Sequence, residues 1–210
     1  MSQTIYEPLP QQKAELIQML EKKFNITDKN LILALQSVNR EDFLPEDLKK
    51  YAYIDISLPI ENSNVIISYS DLIKAITSLK NSKRDKALVI GRNSDFTAVM
   101  LSFLYKQVYL IESNVALKER DEKLIKENYS NIISAFTNDY SVFNTNGPFD
   151  LVFITNPIKE FTSNYIDLLN QNGEALFALS DRYGFNILHK AIKIGFSYNI
   201  TTLGEVMFSN

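Results

Sequence analysis

Two residues at the ends of neighbouring apolar runs carry the chemistry that this sequence can offer. Gly91 closes "ALVIG", and Glu112 closes "QVYLIE", about 20 residues further on, the separation at which dinucleotide-binding sheets place their ribose acid. A glycine at a strand's carboxyl end lets backbone amides come close to a ligand. An acid at the end of the next strand can accept hydrogen bonds from both ribose hydroxyls. Together they suggest a nucleoside-containing cofactor. Strands ending in Gly and in Glu also arise in ordinary cores, so spacing alone leaves both readings open. The loop itself, "GRNSDF", has only the one glycine, with Asn93 and Asp95 where others would be expected. His189 is the only histidine. It alternates with Phe185, Ile187 and Ala191, which reads as a structural or surface position and leaves no obvious general base.

These residues need elements to position them, and the periodicities supply them. "QQKAELIQMLEKKF" puts Leu16, Ile17, Leu20 and Phe24 at helical spacing. "NITDKNLILALQSV" predicts a second helix capped by Thr27 or Asp28. A connecting segment follows with Pro45 and Pro59 and a short helix at Glu46 to Lys50. "SYSDLIKAITSLK" is helical again through Leu72, Ile73, Ile76 and Leu79. From residue 86 strands alternate with helices: "KALVI", "QVYLIE", "NIISAF", "DLVFIT" and "EALFALS", separated by "DFTAVMLSFLYK", "VALKERDEKLIKEN" and "FTSNYIDLLNQ". The last helix is expected to end at Gly173 as a C-cap. Such alternation implies an α/β domain, with a parallel sheet covered on both faces. "FNILHKAIKI", "FSYNITT" and "EVMFSN" complete it as antiparallel strands. Residues 1–210 read as one domain, with 1–85 as a helical cap and substrate-side segment and 86–210 as the core.

Composition narrows the function classes. With 45% hydrophobic residues the chain can bury an ordinary core. A net charge of -3 gives no electrostatic case for nucleic acid or anionic lipid. The absence of cysteine excludes disulfides, thiolate metal sites and a Cys nucleophile, and no metal site is expected. The N-terminus lacks a basic stretch followed by an apolar run, and no apolar segment approaches the roughly 18 residues of a membrane helix. A cytoplasmic protein is expected.

"VNREDFLP" followed by "YAYIDISLPI" resembles the N-terminal signature of protein-L-isoaspartate O-methyltransferases, V-x-R-E-x-F-V-P then A-Y-x-D and L-P-I. Val38, Arg40, Glu41, Phe43, Pro45, Ala52, Tyr53, Asp55, Leu58, Pro59 and Ile60 match, and Leu44 replaces the usual Val. The likeness continues through "IISYSDLIKAI", "ALVIG", "LIES", "FTND" and "GPFDLVFI", over residues 27–180. It implies a class I S-adenosylmethionine-dependent methyltransferase fold, Rossmann-like, with a mostly parallel seven-stranded-type sheet behind an N-terminal helical cap. It also implies methyl transfer to isoaspartyl carboxylates of damaged proteins or peptides. The nucleophile is a carboxylate already ionised near neutral pH, so positioning and exclusion of water matter more than acid/base work.

By the same resemblance, Ser68 is the catalytic-site serine that holds the substrate carboxylate, with Ile67 and Tyr69 beside it. Gly91, Arg92, Asn93, Ser94, Glu112, Ser113, Asn138 and Asp139 form the cofactor site. The family's first loop, V-L-E/D-I-G-x-G-x-G-Y, has changed here: Val89 replaces the strand acid, and Asn93 and Asp95 replace the second and third glycines. Tyr69 and Ser70 replace the Gln and Pro after the serine. Asn93 tolerates left-handed backbone angles but adds a side chain. Asp95 has two open roles. Its carboxylate could lie ~4 Å from the cofactor's own, at a cost of roughly 4 kcal/mol at an effective dielectric of 20, or it could cap the helix beginning at Phe96. The alternative to an enzyme is a non-catalytic relative whose closed cleft serves as an interaction surface.

Overall fold

The computed structural model describes residues 8–60, 65–114 and 118–207. Helix α1 (Leu9–Phe24) begins behind Pro8 and ends at Asn25, whose left-handed backbone (φ 49°) turns its N–H back to Glu21. Helix α2 (Lys29–Ser37) settles the choice of cap: Asp28 accepts from the amides of Asn30 and Leu31. Two 3-10 turns follow, Arg40–Phe43 and Glu46–Tyr51. The short strands β1 (Leu58–Pro59) and β2 (Val65–Ile66) pair antiparallel and lead into α3 (Tyr69–Thr77). The apolar stripe of α3 (Leu72, Ile73, Ile76) is buried, as its helical spacing requires.

The core begins with β3 (Lys86–Gly91), followed by α4 (Asp95–Ser102), β4 (Gln107–Glu112), α5 (Lys118–Asn128) and β5 (Ile132–Phe136). Then come β6 (Phe149–Ile158), α6 (Ser163–Asp167), β7 (Leu169–Ser180), β8 (Asn186–Ile194) and β9 (Ser197–Val206). They form a seven-stranded sheet in the order β5-β4-β3-β6-β7-β8-β9. The strands from β5 to β7 run parallel, and β8 and β9 antiparallel. Strand β3 shows why its sequence is a continuous apolar run, because both its faces are covered. Ala87 and Val89 enter the cluster beneath the cap helices and α4, while Leu88 and Ile90 enter the one shared with Ile166 of α6.

Several sequence expectations change in detail. Helix α6 is a short helix ending at Asp167, because Leu169 is taken up by β7, opposite Phe149. Gly173 therefore lies inside a strand and is no helix C-cap. The register shifts between Phe149 and Leu151. A Cβ on Gly173 would sit 2.8 Å from the Asn170 carbonyl and 2.9 Å from that of Phe149, so the glycine permits a close backbone approach at the bulge. The tail segments "FSYNITT" and "EV" are one strand with a bulge opposite Leu188 and His189. His189 stacks on Phe177 at 5.6 Å, a packing role. Among the described residues no helix is long and apolar enough to cross a membrane.

Candidate cofactor and substrate site

The strand order reverses between β3 and β6, so a ligand crevice is expected at their carboxyl ends. Gly91 and Glu112 are direct register partners on β3 and β4, which brings the two residues singled out by spacing side by side. Around them the strand ends are tied together. The amide and hydroxyl of Ser113 donate to the Gly91 carbonyl at 2.7 and 3.0 Å. Thr155, on β6, donates its hydroxyl to the Ile90 carbonyl at 3.3 Å. The amide of the exposed Arg92 donates to Oδ1 of Asn156. A Cβ on Gly91 would fall well inside contact distance of Thr155 Oγ1 and 2.6 Å from Asn156 Oδ1. Protein side chains thus fill the space that this glycine opens.

Glu112 is fully buried, and four donors converge on it. Oε1 accepts from the amides of Asn93 (3.1 Å) and Asn114 (2.7 Å), and Oε2 from the amide (2.8 Å) and hydroxyl (2.9 Å) of Ser94. Burial pushes its carboxyl up to about 7, and the four hydrogen bonds oppose that shift. Asn93 holds the left-handed conformation (φ 49°) that a glycine would take. Its Oδ1 accepts from Asn114 Nδ2 at 3.2 Å, and its buried Nδ2 has no partner among the described residues. Asp95 opens α4 and accepts from the amide of Phe96 at 2.9 Å, so its carboxylate is turned towards its own helix. Asp95 is therefore the first residue of the helix and not its cap, which is Ser94 without a side-chain capping bond. Val89 is buried in the core. Asn138 and Asp139 are exposed after β5, and Asp139 folds back on its own loop, accepting from the Ser141 amide and hydroxyl.

The substrate-side segment is held from beneath by Arg40. Its guanidinium, entirely buried, donates to the carbonyls of Ile56 (3.1 Å), Ile66 (3.1 Å) and Ile67 (2.8 Å), with longer contacts to Ala52 and Ile54. Burial lowers its pKa to about 10. It also lies over the rings of Tyr69 and Phe96, linking this segment to the start of α4. Ser68 follows as the N-cap of α3: its hydroxyl oxygen accepts from the Asp71 amide at 3.1 Å, which leaves its O–H to donate. Asp55 accepts from both the amide and hydroxyl of Ser70, and Tyr53 donates to Glu41. Tyr69 is buried against Phe96 and Tyr53, and that burial raises its hydroxyl pKa.

The sequence model of the protein-L-isoaspartate(D-aspartate) O-methyltransferase family matches residues 11–209. The chain belongs to this family. A protein-L-isoaspartate O-methyltransferase of Ignicoccus hospitalis is 27% identical over 204 residues, covering 95% of this chain and 97% of its own. That of Parvibaculum lavamentivorans is 30% identical over 164 residues, covering 78% and 73%. Among solved structures, a Plasmodium falciparum protein assigned to the same activity, in complex with S-adenosyl-L-homocysteine, superposes with a TM-score of 0.80. It shares 20% identity and covers 95% of this chain and 97% of its own. At that identity the likeness speaks for the fold, a class I methyltransferase sheet.

Members of this protein-L-isoaspartate O-methyltransferase family imply a cofactor, and the strand ends of this chain can be tested against it. An ionised carboxylate has about four lone-pair sites. At Glu112 all four are taken by the chain itself, and Thr155 and Asn156 occupy the space over Gly91. As arranged, these residues do not fit the ribose of S-adenosylmethionine at Glu112. A cavity of about 650 Å³ lies along α6, lined by Ile90, Tyr140, Ser141, Thr162, Tyr165 and Leu168 among others. Its lining includes neither Glu112 nor any residue from Gly91 to Asp95. Asn114, Thr155 and Asn156 were not foreseen. Only the strand order, which sets β6 beside β3, marks the last two.

Proposed function

We propose that this chain is a protein carboxyl methyltransferase of the isoaspartate type, using S-adenosylmethionine to esterify isoaspartyl carboxylates in damaged proteins, in the cytoplasm. The observation that carries the reading is the family match, which runs through nearly the whole chain, substrate side included. In this reading Ser68 donates its hydroxyl to the substrate carboxylate, Ile67 and Tyr69 shape the floor beside it, and Arg40 fixes the backbone that presents them. The helix start at Ser68 adds favourable electrostatics for an anion. The experiment is transfer of a radiolabelled methyl group from S-adenosylmethionine to an isoaspartyl peptide, with base-labile ester as the readout. Label on the isoaspartyl peptide and none on its aspartyl twin is expected, and Ser68→Ala lowers the turnover.

Absence of ester at saturating peptide and cofactor, with a folded protein, would refute this reading.

A further inference from the structure

We propose that Glu112 is a positioning residue that clasps the loop after β3 shut, and that it does not act as a ribose acceptor in this chain. The geometry of the loop carries this. Asn93 is left-handed and Ser94 right-handed (φ -95°, ψ -2°), the alternation that turns successive amides into one concavity for an anion. The anion in that concavity is the chain's own. The Asn93 and Ser94 amides meet the Glu112 carboxylate at 3.1 and 2.8 Å, the Ser94 hydroxyl adds a third donor and the Asn114 amide closes it from behind. The carboxylate is fully buried. A diol arriving there would have to displace one of these bonds for each hydroxyl it offers, in a site where donors cannot turn to water. In the ionised form, populated above about pH 7, such buried bonds are charge-assisted, the strong kind. Glu112 thus spends its whole acceptor capacity on fixing the path from β3 into α4, and a nucleoside bound in this crevice is held by other groups.

Only the ligand arm of the test rests on the proposed function; the other needs no ligand. Without ligand, amide hydrogen exchange is followed in the wild type and in Glu112→Gln. The amides of Asn93, Ser94 and Asn114 should be protected in the wild type. They should exchange about tenfold faster or more in the variant, the effect of losing one such bond, while Leu88 and Leu110 in the strands stay unchanged. In the ligand arm, S-adenosylhomocysteine and its 2′-deoxy analogue are titrated into both proteins. The affinity ratio of the two ligands should be the same in wild type and variant to within about twofold, because a clasped Glu112 has no coupling to the ribose. A ratio that collapses by about tenfold in Glu112→Gln means that the carboxylate does hold the diol, and overturns the proposal. Should Glu112→Gln fail to fold, Glu112→Asp, which keeps the charge but draws it back from the donors, carries both arms. If the wild type binds neither ligand at millimolar concentration, the methyltransferase reading falls. The exchange arm then decides the clasp by itself: unprotected amides in the wild type, or exchange indifferent to the substitution, would refute it.

Discussion

Replacing Arg40 by Met tests whether a buried charge without a carboxylate partner among the described residues is a burden or a support. Met keeps much of the apolar stem, so little cavity opens, and the loss is chiefly of the guanidinium. Two effects oppose each other. Removing the charge relieves a desolvation cost, visible in the lowering of its pKa to about 10. Against that, the carbonyls of Ile56, Ile66 and Ile67 lose donors at 3.1, 3.1 and 2.8 Å. Ile66 and Ile67 are buried, and each such acceptor left without a partner costs ~1–3 kcal/mol, whereas Ile56 is exposed and its carbonyl can turn to water. The contacts over Tyr69 and Phe96, at 5.4 and 5.8 Å, add roughly another 1 kcal/mol when desolvated. The two orphaned carbonyls and the lost ring contacts outweigh the relief, and a net loss of about 3 kcal/mol is expected. Urea unfolding followed by circular dichroism suits a chain without tryptophan. Arg40→Lys, which retains a cation and three donors, should fall between the two. Because Ile66 and Ile67 lead directly into Ser68, amide exchange at Asp71 should also quicken in the Met variant. An Arg40→Met protein as stable as the wild type would refute the reasoning: the charge would then be a net cost, and the carbonyls would have found other donors.

Glycine substitution tests the two close approaches. Gly91→Ala and Gly173→Ala should both destabilise, the first because a side chain is strained at that backbone angle (φ 157°) and would meet the hydrogen-bonded Thr155 and Asn156, the second because its Cβ meets two backbone carbonyls; a loss of less than ~1 kcal/mol at either position would contradict this. The pH dependence of stability should carry the signature of Glu112, whose folded carboxyl titrates at about 7 against an ordinary 4.5. A raised acid contributes stability that is fully present below the unfolded value and is lost as pH rises through the folded one. Relative to Glu112→Gln, whose mismatched amide adds a pH-independent offset, wild-type stability should therefore fall by about 3 kcal/mol between those two pH values. Urea midpoints across that range provide the check, and a difference that grows with pH would mean that the four donors outweigh burial and hold the carboxyl below its ordinary value.

What could be read from the sequence follows how local the determining contacts are. Helix α3 and strand β3 were legible because their apolar periodicities answer directly to burial on one face and on two. The Gly91–Glu112 pairing was legible for a similar reason: equal strand lengths and a crossover helix bring those positions into register. Gly173 was misread because "NQNG" carries a genuine helix-stop signal, while its actual role depends on the Phe149 carbonyl in a neighbouring strand. The occupation of Glu112 was not legible. Its acidity and its place at a strand end announce an acceptor, but nothing local states that Asn93, Ser94 and Asn114 will supply the donors. The tie between Arg92 and Asn156 spans 64 positions and emerges only once β6 is placed beside β3.

The altered loop therefore separates two properties that a glycine-rich one would join. Asn93 adopts a left-handed angle, so the backbone can follow the path from β3 into α4 that a glycine would allow. Ser94 follows it with an amide and a hydroxyl, and both go to Glu112. The fold is served by these residues while the acceptor at its centre is consumed. For that reason a high structural likeness to a solved structure holding S-adenosyl-L-homocysteine is compatible with either role of Glu112. Affinity for the ribose hydroxyls discriminates between them, because a clasped carboxylate is blind to a missing hydroxyl and a free one is not.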